Sequence, residues 1–218
     1  MIKVIVFDFD GTIVDSNQLK YDAFFDIFPQ DDRWQGIVKD VLDEFRERTR
    51  GFIVEQVLRD YETRTSSKID GFQEQADSYV KKYGEAVESG AIRCEEISGA
   101  KKTLETLSVD YPLYINSATQ IDSLERIIEA RALSPFFRRI YGAPELKSTN
   151  LTTIFLLERV SAREVLVVGD GYSDLESARE HGCEFIGIRN EFNRFNVRDL
   201  VILDDLEGLK GLIENKMK

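Results

Sequence analysis

Short apolar runs, rich in β-branched residues, recur along the chain and predict the buried strands of a parallel sheet. The clearest run covers residues 2–7, and further runs lie at 111–115, 165–168, 185–188 and, more weakly, 201–203. Between the runs, apolar positions recur every three or four residues, as is typical of amphipathic helices. The predicted helices there cover residues 98–108, 121–132, 152–160, 174–180 and 206–213. Strands that alternate with helices predict an α/β fold with a doubly wound, Rossmann-like parallel sheet.

One long segment interrupts this alternation, because residues 17–92 contain no clear strand. Its apolar residues fall at helical spacing, as Ile37, Val41 and Phe45 do. We therefore expect two domains. Residues 1–16 and 93–218 would form an α/β core domain, and residues 17–92 would form a smaller, all-helical domain.

Composition and charge exclude several classes of function. The chain has 40 Asp and Glu against 29 Lys and Arg, a net charge of −11 that disfavours a nucleic acid or an anionic membrane as partner. Every stretch of about 18 residues contains a charge, so no transmembrane helix is predicted. The first residues enter strand-like sequence directly instead of an export signal. We therefore expect a cytoplasmic protein without a nucleic-acid or membrane partner, and the oligomeric state stays open.

The residues that follow the apolar runs carry the side chains that could take part in catalysis or bind a ligand. Asp8 and Asp10 follow the first run, Ser117 follows the second, and Asp170 and Asp174 follow the third. In an open parallel sheet, ligands bind outside the carboxyl ends of the strands. Burying unpaired carboxylates is costly, so packing alone does not explain them.

Together these side chains indicate phosphoryl transfer assisted by Mg²⁺. Asp8 and Asp170 could share one cation, and oxygen ligands without a nearby His or Cys favour Mg²⁺. A cation there would reduce the repulsion between a substrate phosphate and an attacking aspartate, with Asp10 as the general acid. Taken singly, each motif has another interpretation. The DxDG stretch could be a turn or a calcium loop, the GDGxSD stretch an Asp/Gly turn, and Ser117 an ordinary loop serine.

These motifs resemble those of the haloacid dehalogenase (HAD) superfamily of phosphotransferases, and the resemblance covers nearly the whole chain. Residues 8–16, Asp-Phe-Asp-Gly-Thr-Ile-Val-Asp-Ser, are similar to the first family motif. Ser117 matches the second motif, Lys147 the third, and residues 169–174, Gly-Asp-Gly-Tyr-Ser-Asp, the fourth. The resemblance implies a HAD core with a helical type I cap, similar to the phosphoglycolate phosphatase and β-phosphoglucomutase group.

The resemblance also implies roles for the acidic residues. Asp8 would form an aspartyl-phosphate intermediate and ligate Mg²⁺. Asp10 would protonate the leaving alcohol, activate the hydrolytic water, and offer its backbone carbonyl to the metal. Asp170 would bind Mg²⁺ directly, Asp174 would bind it directly or support its ligands, and Thr12 would help to orient Asp10.

For the phosphate group, the resemblance implies contacts from Ser117, from the backbone amide of Ala118, and from Lys147. One departure concerns Lys147, which is followed by Ser148 where many relatives have proline. The lysines at 101–102 are rival candidates, although they fall on the polar face of a predicted helix.

We therefore predict a Mg²⁺-dependent phosphomonoesterase that acts on a small phosphorylated metabolite. Asp10 favours a phosphate ester, because a dehalogenase needs no proton donor for a leaving alcohol. A β-phosphoglucomutase-like sugar phosphomutase and a non-catalytic binding protein on the same scaffold are the alternatives. In the helical domain, Arg48 and Arg50 could bind a substrate carboxylate or sugar hydroxyl. They could equally form a basic helix end that complements the helix dipole.

Overall fold

In the computed structural model, which describes residues 1–46, 48–192 and 195–216, the five apolar runs and one further segment form a six-stranded parallel sheet. Its strands are β1 (Val4–Phe7), β2 (Leu113–Gln120), β3 (Arg139–Ala143), β4 (Val165–Gly169), β5 (Glu184–Ile188) and β6 (Val201–Leu203). Their spatial order is β3-β2-β1-β4-β5-β6, and all neighbours run parallel. From β1, the chain adds β2 and β3 on one side of the sheet and then β4, β5 and β6 on the other, as in doubly wound sheets. The predicted α/β fold is confirmed.

The helices lie between these strands and in the segment after β1. Those after β1 are α1 (Asn17–Ile27), α2 (Asp32–Phe45), α3 (Arg50–Thr65) and α4 (Phe72–Ala91). The others are α5 (Ala100–Asp110), α6 (Ile121–Ala130), α7 (Lys147–Glu158), α8 (Tyr172–His181) and α9 (Leu209–Lys216). In the described part of the chain, none of them is long and apolar enough to span a bilayer.

The chain divides into two compact units. One contains Met1–Asn17 with Ala91–Lys218, and the other contains Gln18–Gly90. The sequence analysis placed these boundaries after residues 16 and 92. Whether the smaller unit acts as a cap stays a prediction.

The core of the larger unit forms where apolar strands are covered by apolar helix faces. On one side of the sheet, the buried cluster consists of Val4, Val6, Tyr114, Leu151, Ile154, Val165, Val167, Leu175, Ala178 and Phe185. These residues come from β1, β2, β4 and β5 and from α7 and α8. Strands buried in this way read as continuous apolar runs, which is why the sequence predicted them.

Most predicted elements of the larger unit differ from the observed ones by at most three residues at either end, and three elements differ more. The edge strand β3 was missed because its residues are mostly exposed or half-buried and form no apolar run. Strand β2 extends beyond residue 115, and its pairing with β3 is irregular between Asn116 and Gln120. Apolar periodicity indicates α7 only from residue 152, because the first turn of the helix is polar, whereas the helix begins at Lys147.

The smaller unit is built on helices whose apolar positions face one another. Helix α2 buries Ile37, Val38, Val41 and Leu42, and α3 buries Ile53, Val54, Val57 and Leu58. Asp31 caps α2 by accepting hydrogen bonds from the amides of Arg33 and Trp34. The Trp34 ring stacks on Tyr61 with 3.9 Å between ring centroids, so Trp34 is a packing residue of this unit.

Candidate active site

The carboxyl ends of β1 and β4 bring the central carboxylates together. These strands pair with Phe7 opposite Val168, so Asp8 and Asp170 leave adjacent strands at the same edge of the sheet. Asp174 lies in the first turn of α8, directly after β4. Asp8, Asp170 and Asp174 are buried, and one carboxylate oxygen from each lies within 4.8 Å of the others.

Lys147 supplies a positive charge to this cluster. Its Nζ lies 2.9 Å from Oδ1 of Asp8 and 2.6 Å from Oδ1 of Asp174. Burial lowers the pKa of Lys147, but the charges of Asp174 and Asp8 outweigh burial and raise this pKa overall. Lys147 therefore stays protonated beside Asp8. The rival lysines at 101–102 are exposed on α5.

Two asparagine carboxamides hold Asp170, and the sequence analysis did not identify either. Nδ2 of Asn17 donates to Oδ2 of Asp170 at 2.8 Å, and Nδ2 of Asn190 donates to the same oxygen at 2.5 Å. Gly11 has a φ of +72°, and a Cβ there would come within 2.2 Å of both Asn17 Nδ2 and Asp170 Oδ2. Only glycine therefore allows this approach of the first loop to Asp170.

The carboxylate cluster fits a divalent cation. Three carboxylates face one lysine, which leaves excess negative charge when all are ionised. Burial, followed by the charge of Asp8, raises the pKa of Asp170 well above its usual range and that of Asp174 to about 7. Apart from its ion pair with Lys147, the buried Oδ1 of Asp8 has no hydrogen-bond partner among the described residues. Buried carboxylate oxygens in this arrangement are the ligands that Mg²⁺ prefers.

Asp10 lies in a different environment from Asp8. Its Oδ1 accepts a hydrogen bond of 2.6 Å from the Ser16 hydroxyl, and its Oδ2 accepts one of 2.7 Å from the Thr119 hydroxyl. The expectation that Thr12 orients Asp10 is wrong. The Thr12 hydroxyl is buried and has no hydrogen-bond partner among the described residues. The hydroxyls of Ser16 and Thr119, which the sequence analysis did not single out, orient Asp10 instead.

The other predicted phosphate contacts lie on β2, which pairs with β1. Ser117 is buried, and its Oγ accepts a hydrogen bond of 3.1 Å from the Thr119 amide. Ala118, the next residue, is exposed. Both residues thus belong to the strand beside the one that ends at Asp8.

Arg48 and Arg50 belong to the smaller unit. Arg48 is exposed, and its guanidinium carbon lies 4.8 Å from the centroid of the Phe52 ring. Arg50 is half-buried and begins α3, after Thr49, whose hydroxyl accepts a hydrogen bond from the Phe52 amide. A role in substrate binding stays a prediction for both arginines.

The sheet and its acidic edge define a class of protein, and the family comparison identifies it. The chain belongs to the haloacid dehalogenase-like hydrolase family, whose profile matches residues 5–188. The predicted family membership and the hydrolase class are therefore confirmed. Comparison with curated proteins finds no sequence match.

Solved structures with the same fold cover almost the entire chain. YfnB of Bacillus subtilis, assigned as a HAD-hydrolase and bound to magnesium, is 20% identical, with 97% of this chain and 98% of that chain covered and a TM-score of 0.70. A predicted phosphoglycolate phosphatase from Haemophilus somnus is 16% identical, with 97% of both chains covered and a TM-score of 0.72. CbbY of Rhodobacter sphaeroides, in complex with phosphate, is 18% identical, with 96% of both chains covered and a TM-score of 0.70. At these identities, the similarity supports the fold.

Proposed function

We propose that this chain is a Mg²⁺-dependent phosphatase that hydrolyses a small phosphate monoester through an aspartyl-phosphate on Asp8. The observation that carries the proposal is the contrast between two neighbouring carboxylates. Asp8 is paired with Lys147 inside an acidic cluster, whereas Asp10 is held by two hydroxyl groups. Carboxylates in different environments can divide the roles of nucleophile and general acid.

The acidic cluster would hold the metal ion. Its ligands would be the side chains of Asp8 and Asp170 and the backbone carbonyl of Asp10, with Asp174 as a ligand or as support for one. When bound, Mg²⁺ would offset the repulsion between these carboxylates and the phosphate of the substrate. Lys147 would bind a phosphate oxygen as a point charge while staying paired with Asp8.

Two displacements at phosphorus would complete the reaction. In the first, a carboxylate oxygen of Asp8 attacks phosphorus, the bond to the ester oxygen breaks, and Asp10 gives its proton to the departing alkoxide. In the second, Asp10 takes a proton from water while that water attacks phosphorus, and the bond to Asp8 breaks. The products are one alcohol and one inorganic phosphate, and both aspartates return to their initial states.

The two hydroxyls at Asp10 suit this alternation between acid and base. A hydroxyl group can donate a hydrogen bond to a carboxylate and can accept one from a protonated carboxyl. Ser16 and Thr119 can therefore keep Asp10 in place in both protonation states. Ser117 and the amide of Ala118 would bind the remaining phosphate oxygens from β2.

The fold neighbours support this proposal without deciding it. One neighbour is bound to magnesium, another is in complex with phosphate, and a third is a predicted phosphoglycolate phosphatase. A small phosphorylated metabolite is the substrate class that agrees with these descriptions.

The test is a screen for phosphate release over a panel of phosphorylated sugars, hydroxy acids and other metabolites, with Mg²⁺ or with a chelator. We expect continuous release that requires Mg²⁺ and falls by a factor of about 10³ or more in Asp8→Asn, which lacks the nucleophile. Asp122→Asn, the same change at an exposed position of α6, should leave the rate unchanged. Release that needs a bisphosphate, together with isomerisation of a sugar phosphate, would favour the phosphomutase instead. An unchanged rate in Asp8→Asn would contradict the proposed nucleophile.

A further inference from the structure

Two buried asparagines connect the strand of Ser117 to the helix of Lys147. Asn116 lies on β2, one residue before Ser117, and Asn150 is the fourth residue of α7. Both are 3% exposed. Buried strands and helix faces are usually packed with apolar residues, so two carboxamides at such a contact call for an explanation.

Each carboxamide has a defined partner. Nδ2 of Asn116 donates to the backbone carbonyl of Lys147 at 2.9 Å. Nδ2 of Asn150 donates to Oδ1 of Asn116 at 2.9 Å. The Lys147 carbonyl can only accept, so it fixes which end of the Asn116 carboxamide faces α7. The Asn150 contact then uses the opposite end, and both ends of Asn116 are engaged.

Within α7, the hydroxyl of Thr152 supports the first turn by donating to the carbonyl of Ser148 at 3.2 Å. Leu146 precedes the helix and, among the described residues, makes no side-chain cap. Other elements also support this turn: Asn116 of β2 donates to the carbonyl of Lys147, and Nε2 of His181 lies 2.8 Å from the carbonyl of Ser148. The backbone of Lys147 is therefore fixed by its neighbours across the sheet and helix layer.

Backbone placement matters for Lys147 because its side chain is buried and pairs with two carboxylates at once. The ammonium group lies 2.9 Å from Asp8 and 2.6 Å from Asp174, and burial of the stem leaves it little room to adjust. A shift of the first turn of α7 would move the ammonium group away from both carboxylates. A misplacement of this kind in an active site lowers rates even when every reacting group is still present.

We propose that Asn116, supported by Asn150, is a positioning residue that sets the ammonium group of Lys147 against Asp8. The contact also keeps Lys147 at a fixed distance from Ser117, because Asn116 and Ser117 are consecutive on one strand. Two groups expected to bind the same phosphate are thereby coupled. This inference rests on the proposed function, because it presupposes phosphate binding beside Asp8.

The test is a kinetic double-mutant cycle that combines Asn116→Ala with Lys147→Met, a change that keeps most of the stem and removes the ammonium group. In the wild-type background, we expect Asn116→Ala to lower kcat about tenfold to a hundredfold, as for a displaced active-site group. In the Lys147→Met background, the same change should cost less than about twofold, because no ammonium group is left to position. Equal losses in both backgrounds would overturn the proposal.

Thr103→Val is the matched control for lost packing and hydrogen bonding. Thr103 is also buried, and its hydroxyl donates to the carbonyl of Leu206 at 2.9 Å, from α5, where the rival lysines at 101–102 are exposed. We expect this variant to lose thermal stability as Asn116→Ala does, but to keep its kcat and KM. If Asn116→Ala does not fold, Asn150→Ala removes the support of Asn116 and should show the same dependence on Lys147.

A binding measurement separates failure of this inference from failure of the proposed function. Calorimetry with inorganic phosphate and Mg²⁺ on the four proteins of the cycle does not depend on turnover. If the wild type binds phosphate without hydrolysing any ester, the proposed function fails. The positioning role would still be supported if Asn116→Ala weakens phosphate binding in the wild-type background but not in the Lys147→Met background. If the wild type does not bind phosphate, or if binding shows no such dependence, the inference is overturned.

Discussion

At the scale of single residues, the site depends on how each carboxylate is paired. Asp8 is paired with an ammonium group, Asp170 accepts two carboxamide hydrogen bonds, and Asp10 accepts two from hydroxyls. An ammonium group and carboxamide donors favour an ionised carboxylate, whereas hydroxyls adapt to either protonation state. The same side-chain type can therefore act as nucleophile, metal ligand and acid within one site.

The proposed acid–base role of Asp10 predicts a dependence on the leaving group. We expect Asp10→Asn to lower the rate on an alkyl phosphate by about 10²–10⁴, the usual contribution of a general acid. The first step with p-nitrophenyl phosphate should be nearly unaffected, because p-nitrophenolate leaves without a proton. Rapid-mixing measurements should then show a burst of about one p-nitrophenolate per site, since hydrolysis of the intermediate still lacks its base.

The control for this experiment is Asp15→Asn, an exposed aspartate of the same loop, which should behave as the wild type does. Equal slowing on both substrates without a burst would show that Asp10 does not transfer the proton.

The carboxamides on Asp170 lead to a prediction about metal affinity. Removing one of them in Asn190→Ala should weaken Mg²⁺ binding about tenfold to a hundredfold, the usual effect of losing a residue that orients a metal ligand. Calorimetric titration with Mg²⁺ measures the change without turnover. Asn196→Ala, at an exposed asparagine of the same loop, should bind Mg²⁺ normally. Unaltered affinity in Asn190→Ala would mean that Asn17 alone is enough to orient Asp170.

At the scale of secondary-structure elements, the sequence predicted the strand ends but not the side-chain carboxamides that support the site. Apolar runs identify β1 and β4, and in a parallel sheet their carboxyl ends lie on one edge, so the approach of Asp8 to Asp170 followed from the sequence. Asn116 lies between Ile115 and Ser117, and Asn190 lies between Arg189 and Glu191, so no periodicity or spacing in the sequence marks either carboxamide. Their partners lie 31 and 20 positions away, and only the fold brings them together.

The loop after β1 gives a prediction that compares two glycines. Gly11→Ala would place a Cβ against Asn17 and Asp170 in a left-handed backbone conformation, so we expect loss of stability and of Mg²⁺ affinity. Gly36 lies inside α2, where an added Cβ meets no atom within 4 Å. Gly36→Ala should therefore stabilise the protein by about 0.5–1 kcal/mol through helix propensity. Thermal unfolding of both variants measures these changes in stability. An unchanged Tm in Gly11→Ala would contradict the close approach of Gly11 to Asn17 and Asp170.

At the scale of the whole molecule, the sheet brings together residues that are distant in sequence. Asp8, Ser117, Lys147 and Asp170 come from four separate segments, and the aspartates concentrate part of the net charge of −11 at one edge of the sheet. Folding therefore has to bury carboxylates close to one another. Like charges at such distances keep protons that the unfolded chain would release.

This charge burial links stability, pH and Mg²⁺. Without metal, the raised pKa values of Asp170 and Asp174 mean that the folded state binds more protons than the unfolded chain between pH 4, roughly the ordinary aspartate pKa, and the value of about 7 for Asp174. The free energy of unfolding should therefore fall as pH rises through this window. Mg²⁺ binds the ionised carboxylates, so its stabilising effect should grow over the same window.

Thermal unfolding with Mg²⁺ or a chelator, at pH 5.5 and pH 8, tests this linkage. A ligand at about a hundred times its Kd stabilises by about 2.7 kcal/mol, or roughly 5–10 °C for a chain of this size. We expect a Mg²⁺-dependent rise in Tm of that order at pH 8 and a much smaller one at pH 5.5, where protons compete for the same oxygens. Asp170→Asn should abolish the rise at both pH values. Equal rises at pH 5.5 and pH 8 in the wild type would mean that the metal does not displace protons from these carboxylates.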